Sequence, residues 1–380
     1  MHSFTNESHP NGSRVNIGQY GDTAEASLSQ TNPWLVAVSF NDRPTISGTN
    51  YLRWLYGGMA SGSLVQIQAS LNNGVSYSTL ASNVPLSFST GFVWDVSSIP
   101  LAAHCLWRVV SETYTDVDDE VDTTFAIKNQ VLTIYVNDSS TNGDVYCTAI
   151  GSPLNTGTNA HSPLDEPATA LYQYPIGRGD TIYIDTGVYA ITSEVGLVIA
   201  ETSRGEELYP ITIHGSTNGA SQKNSSNSWA FGGTVIERAD TNRGSGVGLF
   251  IGNTRFVDVD HLCFRGGSVG VWVYNSLNCS FADVKSFDNT NEGFLISDVG
   301  PVSFDRCAAW NNRGFGLSVG GRTDMSWTRG VVWSNKDGGI WLGGATLSVS
   351  NSIIHSPTNV YLYVVNLGTL RADYNVFWKD

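Results

Sequence analysis

The sequence predicts an all-β chain: a sandwich of short strands, then a short helix, then a solenoid of parallel strands. Three observations predict it. Apolar and polar residues alternate in short runs separated by turn-prone pieces. From residue 254 to 345 the sequence repeats every twenty-three residues. No row of that repeat holds ten or more residues of 3.6-residue periodicity, so the repeating unit is not helical.

Composition narrows the function. Asp+Glu total 34 against 20 Lys+Arg, a net charge of −14, which disfavours nucleic acid as a partner. Only 14% of residues are charged while 41% are hydrophobic, enough for a sizeable core and against wholesale disorder. No stretch approaches the roughly 18 apolar residues that a membrane span requires. The polar, Lys-poor surface predicts an extracellular or cell-surface protein. No apolar signal segment follows Met1, so a secretory leader is not visible in the sequence.

Residues 32–130 are predicted as the sandwich. Alternating runs recur at 34–40, 51–56, 64–71, 92–96, 105–110 and 125–127, with turn signals such as Asn72-Asn73-Gly74 between them. Asp116, Asp118, Asp119, Glu120 and Asp122 crowd one loop of this region. Carboxylates at that density repel, and Ca²⁺ would relieve the repulsion, with Asp116, Asp118, Asp119 and Asp122 as ligands. The spacing is not that of an EF-hand, and a solvated acidic hairpin is the simpler reading.

Residues 131–178 are predicted as a linker and a cap helix. Ser162-Pro163-Leu164-Asp165-Glu166 leads into Ala168, Ala170 and Leu171, and Ser162 or Asp165 is the expected N-cap. Such a helix would cover the open end of a solenoid. The five cysteines match no metal-site spacing. Cys105 and Cys147 are a candidate disulfide, and buried thiols acting as small apolar groups are the alternative.

Residues 179–380 are predicted as the solenoid. One repeat column holds Phe264, Phe287, Trp310 and Trp333 and continues at His355 and Trp378. Others hold Asn289, Asn312 and Asn335; Gly270, Gly293, Gly316 and Gly339; Val271, Phe294, Leu317 and Ile340; and Val273, Ile296, Val319 and Leu342. Parallel strands need a long return path, which the rest of each row supplies, so like residues stack about 4.8 Å apart. The aromatic column, in phase with apolar neighbours such as Val331, is expected to be an internal ladder; facing outward it would be a sugar-stacking stripe. The Asn column is expected to be a hydrogen-bond ladder at a turn. The Gly column marks either a positive φ or a close approach.

These columns resemble the pectate-lyase-like superfamily of right-handed parallel β-helices. The resemblance extends to the run GDTIYIDTGVY at 179–189, which is similar to the first coil of many bacterial members. Residues 63–112, with Val65-x-Ile67, Gly91-Phe92-Val93-Trp94-Asp95-Val96 and Cys105-x-Trp107-Arg108-Val109, resemble an immunoglobulin-like or fibronectin-III-like module of Ser/Thr-rich cell-wall proteins. Residues 1–31 contain RVNIGQYGDTAEAS at 14–27, similar to the segment that closes a β-helix of the same superfamily. Its position before the sandwich predicts a piece of a longer tandem array.

Superfamily members that cleave polysaccharides use a Lys or Arg base with Ca²⁺-holding Asp residues, or paired carboxylates. The charged residues here that adjacent rows could gather are Asp258, Asp260, His261, Arg265, Asp283, Lys285, Asp288, Glu292 and Arg313. Arg265, Lys285 and Asp288 are the catalytic candidates; Arg265 and Asp288 share a column, which also reads as a surface salt bridge. No Ser-His-Asp signature, phosphate loop or dinucleotide fingerprint occurs. The expected function is therefore structural or adhesive, a segment of an extracellular array with end-to-end self-association and glycan contact. The alternative is a polysaccharide lyase or glycoside hydrolase. No cofactor beyond Ca²⁺ is expected. The loop at 218–233 is expected to project from the solenoid.

Overall fold

The computed structural model describes residues 32–42, 44–86, 91–191, 196–218, 221–223, 229–231, 233–238, 246–357 and 361–379. The closing-segment motif at 14–27 and half of the 218–233 loop lie outside these residues. The chain forms two compact units, Met1–Asn129 and Gln130–Asp380.

In the first unit, Thr45–Ile46, Phe125–Ile127, Ala102–Ser111, Leu64–Ser70 and Ser78–Pro85 form one sheet in that order, with Asp118–Glu120 beside Ala102–Ser111. Trp34–Ala37 pairs antiparallel with Trp54–Gly57, and Thr49–Leu52 with Phe92–Asp95. Period-two alternation buries Val65, Ile67 and Ala69. They join Leu52, Trp107, Val109 and Phe125 in one apolar core. Trp107 is wholly buried and remains satisfied, because its indole N–H donates to the Ser39 carbonyl at 2.9 Å.

The second unit is a parallel β-helix. Each complete coil contributes one strand to each of three parallel sheets, of nine, eight and seven strands among the described residues. The solenoid begins earlier than expected. Thr133–Val136 pairs in parallel with Thr181–Ile184, so the first strand lies inside the span read as linker. Ile134 and Val136 are buried in phase with Ile182 and Ile184, and this shared alternation draws the segment into the sheet.

The cap helix runs Pro167–Gln173 and packs on Leu197–Ile199 and Thr133–Val136. Its N-cap is Glu166, not Ser162 or Asp165, and no side chain caps it. Pro167 sets the boundary: its ring suits the first helical turn and holds Glu166 extended, at φ −138° and ψ 129°. Upstream, Leu164 forms a parallel bridge to Val136 instead of entering the helix.

The aliphatic columns stack in register, Val271 on Phe294, Leu317 and Ile340, and Val273 on Ile296, Val319 and Leu342. A second interior column places Phe281, Phe304 and Trp327 face to face, with ring centroids 4.3 and 5.7 Å apart. The Asn ladder forms at a turn. Asn289 Nδ2 donates to Asn312 Oδ1 at 2.8 Å, and Asn312 Nδ2 to Asn335 Oδ1 at 2.9 Å. All three are buried, so the ladder satisfies groups that water cannot reach.

The Gly column is a close-approach column. A Cβ on Gly316 would stand 2.4 Å from Asn335 Nδ2 and 2.5 Å from Val332 Cγ1. Gly316→Ala is therefore expected to destabilise the solenoid by about 1–3 kcal/mol, the usual cost of overpacking. Chemical denaturation would measure it, and a variant as stable as the parent would show that the ladder yields freely.

Two expectations are corrected. The aromatic column faces outward. Its inward neighbours are Ser286, Ala309, Val332 and Ile354, all buried, whereas Trp333 is 39% and Trp378 52% exposed; Phe287 and His355 of the same column are covered on that outer side, Phe287 packing with Val235, Cys263 and Trp310. Phe264 does not belong to it: register pairs Phe264 with the inward Ser286 and Arg265 with Phe287, a step of 22 residues, before the step becomes 23 at Val271 and Phe294. The extra residue lies in the turn after Phe287. The candidate disulfide is also absent. Cys105 and Cys147 are both free and buried, each filling the interior of a different unit, and burial pushes the Cys105 thiol up to about 12.

Candidate functional site

Along the first parallel sheet, one outward column reads Tyr135, Tyr183, His214, Asp260, Ala282, Asp305, Thr328 and Ser350. The next residue of each later row turns the corner into the second sheet. His261, Asp283, Arg306 and Arg329 occupy that corner with φ between 51° and 54° or at 56°. Left-handed backbone at a non-glycine residue costs about 1–2 kcal/mol, and the strand pairing on both sides holds it there. The corner column thus stands beside the strand column, and the two share their charges.

The resulting network is continuous. His214 Nδ1 lies 2.6 Å from Asp260 Oδ2, and His261 Nδ1 lies 2.8 Å from Asp260 Oδ1. His261 Nε2 is 3.6 Å from Asp283 Oδ2. Arg306 binds Asp283 through Nε at 2.9 Å and Nη2 at 2.7 Å, and Asp305 lies between Arg306 and Arg329. Burial opposes ionisation of Asp260, but the hydrogen bonds from His214 and His261 outweigh it and hold the carboxyl below its usual range. Ionised, Asp260 only accepts, so both imidazoles present Nδ1–H to it. A neutral His214 then carries its lone pair on Nε2, away from Asp260, as a general base requires.

Aromatic rings position His214. Its ring stacks on Tyr183, with centroids 5.2 Å apart and planes within 16°, and Tyr183 stacks in turn on Tyr135 at 5.5 Å. Tyr146 leans on Tyr183 at 4.6 Å, and its hydroxyl donates to the Gly215 carbonyl at 2.9 Å. Burial, with Asp260 and Asp185 adding to it, pushes the Tyr146 phenol up to about 12, so it anchors the stack as a neutral donor. Tyr146 is itself held by Asp185. This wholly buried carboxylate accepts the N–H groups of Val145, Tyr146, Cys147 and Thr186 at 2.6–2.8 Å.

The structure places the predicted residues elsewhere. Arg265, Lys285 and Asp288 lie on the outer side of the second sheet or at the turn beyond it. Arg265 pairs with Glu237 at 2.9 Å instead of standing in one column with Asp288. Burial raises the Asp288 carboxyl, against a hydrogen bond from Asn311 and the charge of Arg265. Of the wider set, Asp260, His261 and Asp283 are brought together. The sequence reading missed His214, Tyr183 and Tyr146, because they precede the clear rows and are joined to them only through strand register. In the acidic loop, Asp118–Glu120 is a strand paired with Ala102–Ser111, so successive carboxylates point to opposite faces. Asp119 accepts the Ala37 N–H at 2.7 Å and Glu120 accepts Tyr77. Among the described residues no group of three or more His, Cys, Asp or Glu is placed to hold a metal ion.

Fold and site together define a parallel β-helix with an outward acid–base column. Residues 195–377 match the family described as a right handed beta helix region. No curated protein matches the sequence significantly. Similar solved structures include an alginate lyase from Paenibacillus sp. str. FPU-7, at 12% identity over 56% of this chain and 92% of that one, with a TM-score of 0.33. The A-module of the mannuronan C-5 epimerase AlgE4 of Azotobacter vinelandii is 16% identical over 52% of this chain and 68% of its own, with a TM-score of 0.31. A lacto-N-biosidase of Eubacterium ramulus is 10% identical over 66% and 68%, with a TM-score of 0.24. At these scores the likenesses bear on neither activity nor substrate.

Proposed function

We propose that the solenoid acts on an extracellular uronate-containing polysaccharide by proton transfer along the outer face of the first sheet. The observation that carries this reading is the pair of imidazoles on the single carboxylate of Asp260, beside stacked tyrosines. Hydrolysis by paired carboxylates needs one of them protonated. Asp260 is held ionised and Asp283 is bound by Arg306, so neither serves as a proton donor. Imidazole and phenol remain. His214 Nε2 takes the proton beside the uronate carboxylate, the Tyr183 hydroxyl protonates the departing glycosidic oxygen, and the C–O bond breaks to leave an unsaturated sugar. Arg306 and Arg329 lie along the same face, each paired with an aspartate.

The mutual pairing of His261, Asp283, Arg306, Asp305 and Arg329 favours a second reading, a structural or adhesive array segment with a well-neutralised surface and the first unit as a spacer module. Ultraviolet absorbance of unsaturated products over a panel of alginates and pectins separates the two. Product formation that falls about a hundredfold or more in His214→Ala is expected, the usual range for a general base. A chain that binds these polymers yet releases no unsaturated product would leave the adhesive reading standing.

A further inference from the structure

We infer that the outer face of the third sheet is a separate binding surface for an uncharged polysaccharide, with the indole of Trp341 as its platform. The outward positions of this sheet run Phe250, Trp272, Leu295, Ser318, Trp341 and Tyr363 in one column. The companion column is Gly252, Tyr274, Ser297, Gly320 and Gly343. None of these side chains is charged, in a chain of net charge −14. An uncharged strip on an acidic molecule complements an uncharged polymer; it offers a polyanion no counter-charge.

The glycines determine how the rings lie. A Cβ on Gly343 would stand 2.2 Å from Trp341 Cη2, and one on Gly320 would stand 3.2 Å from Trp341 Cζ3. The six-membered ring of the indole therefore occupies the space above two bare glycine backbones, while Ile340 and Leu342 on either side are wholly buried. Trp341 is half-buried. The same device recurs where Phe250 lies over Gly252, a Cβ there meeting Phe250 Cζ at 2.4 Å. A flat aromatic face suits the C–H face of a pyranose ring, in contrast to the second sheet. There Phe287 stacks on Trp310 at 4.5 Å and Trp333 on His355 at 3.9 Å, so the rings cover one another's faces, and Phe287 and His355 are buried.

Hydroxyl recognition has its groups in place. The corner that borders this face carries Asn253, Asn275 and Asp298, all with positive φ. Asn275 Nδ2 donates to Asn253 Oδ1 at 2.7 Å, an amide row alongside the rings. Rungs repeat about every 4.8 Å, close to the repeat of an extended polysaccharide backbone, so successive sugars can meet successive coils. This surface does not rest on the reading of the first sheet.

The test is native electrophoresis of the whole chain through gels cast with single polysaccharides: xyloglucan, galactomannan and mixed-linkage β-glucan as neutral polymers, alginate and polygalacturonate as anionic ones. At least one neutral polymer is expected to retard the chain. Trp341→Ala should weaken that retardation about tenfold, the scale of one lost aromatic contact, and Trp341→Phe should retain most of it. Trp333→Ala, on the second sheet, should leave it unchanged, as should His214→Ala. Should Trp341→Ala not fold, Tyr363→Ala in the same column is expected to weaken retardation. No retardation by any neutral polymer, or equal retardation of the parent and the column variants, overturns the inference. Retardation of the parent chain by a neutral polymer, with no unsaturated product released by that chain from any alginate or pectin, would preserve this surface while rejecting the proposed lyase.

Discussion

Phe304→Ala is expected to cost about 4 kcal/mol of stability, within the range for a wholly buried aromatic. Phe304 is 1% exposed and lies between Phe281, parallel within 6° at 4.3 Å, and Trp327 at 5.7 Å. Phe294 meets it edge-on at 5.4 Å. Truncation removes the transfer free energy of the ring, leaves a cavity between rigid rungs, and ends three aromatic contacts. The rungs above and below are fixed by strand pairing, so they can close little of that cavity. Denaturant unfolding of the second unit would read the loss. Phe304→Leu should recover part of it, and an alanine variant within 1 kcal/mol of the parent would mean that the interior is more pliable than its packing implies.

Asp185→Ala is expected to be nearly as damaging, about 3–4 kcal/mol, for a polar reason. Four backbone N–H groups converge on one buried carboxylate, and without it those shielded from water stay unpaired at roughly 1–3 kcal/mol each. Val145 is partly exposed, so water can replace its bond, which keeps the total below the full sum. The same variant should disturb the site. Asp185 holds Tyr146, Tyr146 leans on Tyr183, and Tyr183 stacks on His214. Asp185→Asn retains one oxygen acceptor and should fall between parent and alanine. Thermal melting ranks the three, and an alanine variant that melts with the parent would reject this account of the 145–147 segment.

The columns legible in the sequence were those with one tightly constrained role. Gly270, Gly293, Gly316 and Gly339 repeat because any Cβ there strikes a neighbouring rung, and Asn289, Asn312 and Asn335 because each amide bonds the next. Phe264 was misread because aromatic residues serve on both faces of a strand. A single extra residue in the turn after Phe287 moves the column from inside to outside without breaking the visible repeat. The site was legible only in part. Asp260, His261 and Asp283 lie in the regular rows, whereas His214 and Tyr183 belong to coils whose long turns hide the period.

From the sequence alone came the all-β class, the rung period and the identity of the residues stacked on the aliphatic, glycine and asparagine columns, since each follows from side-chain chemistry repeated at fixed spacing. Which face a column occupies, where the solenoid begins, and which distant side chains share Asp260 were decided by tertiary structure. Period-two alternation is the same whichever side is buried, and only the register of neighbouring strands and the left-handed corner at His261 and Asp283 select the side that meets solvent.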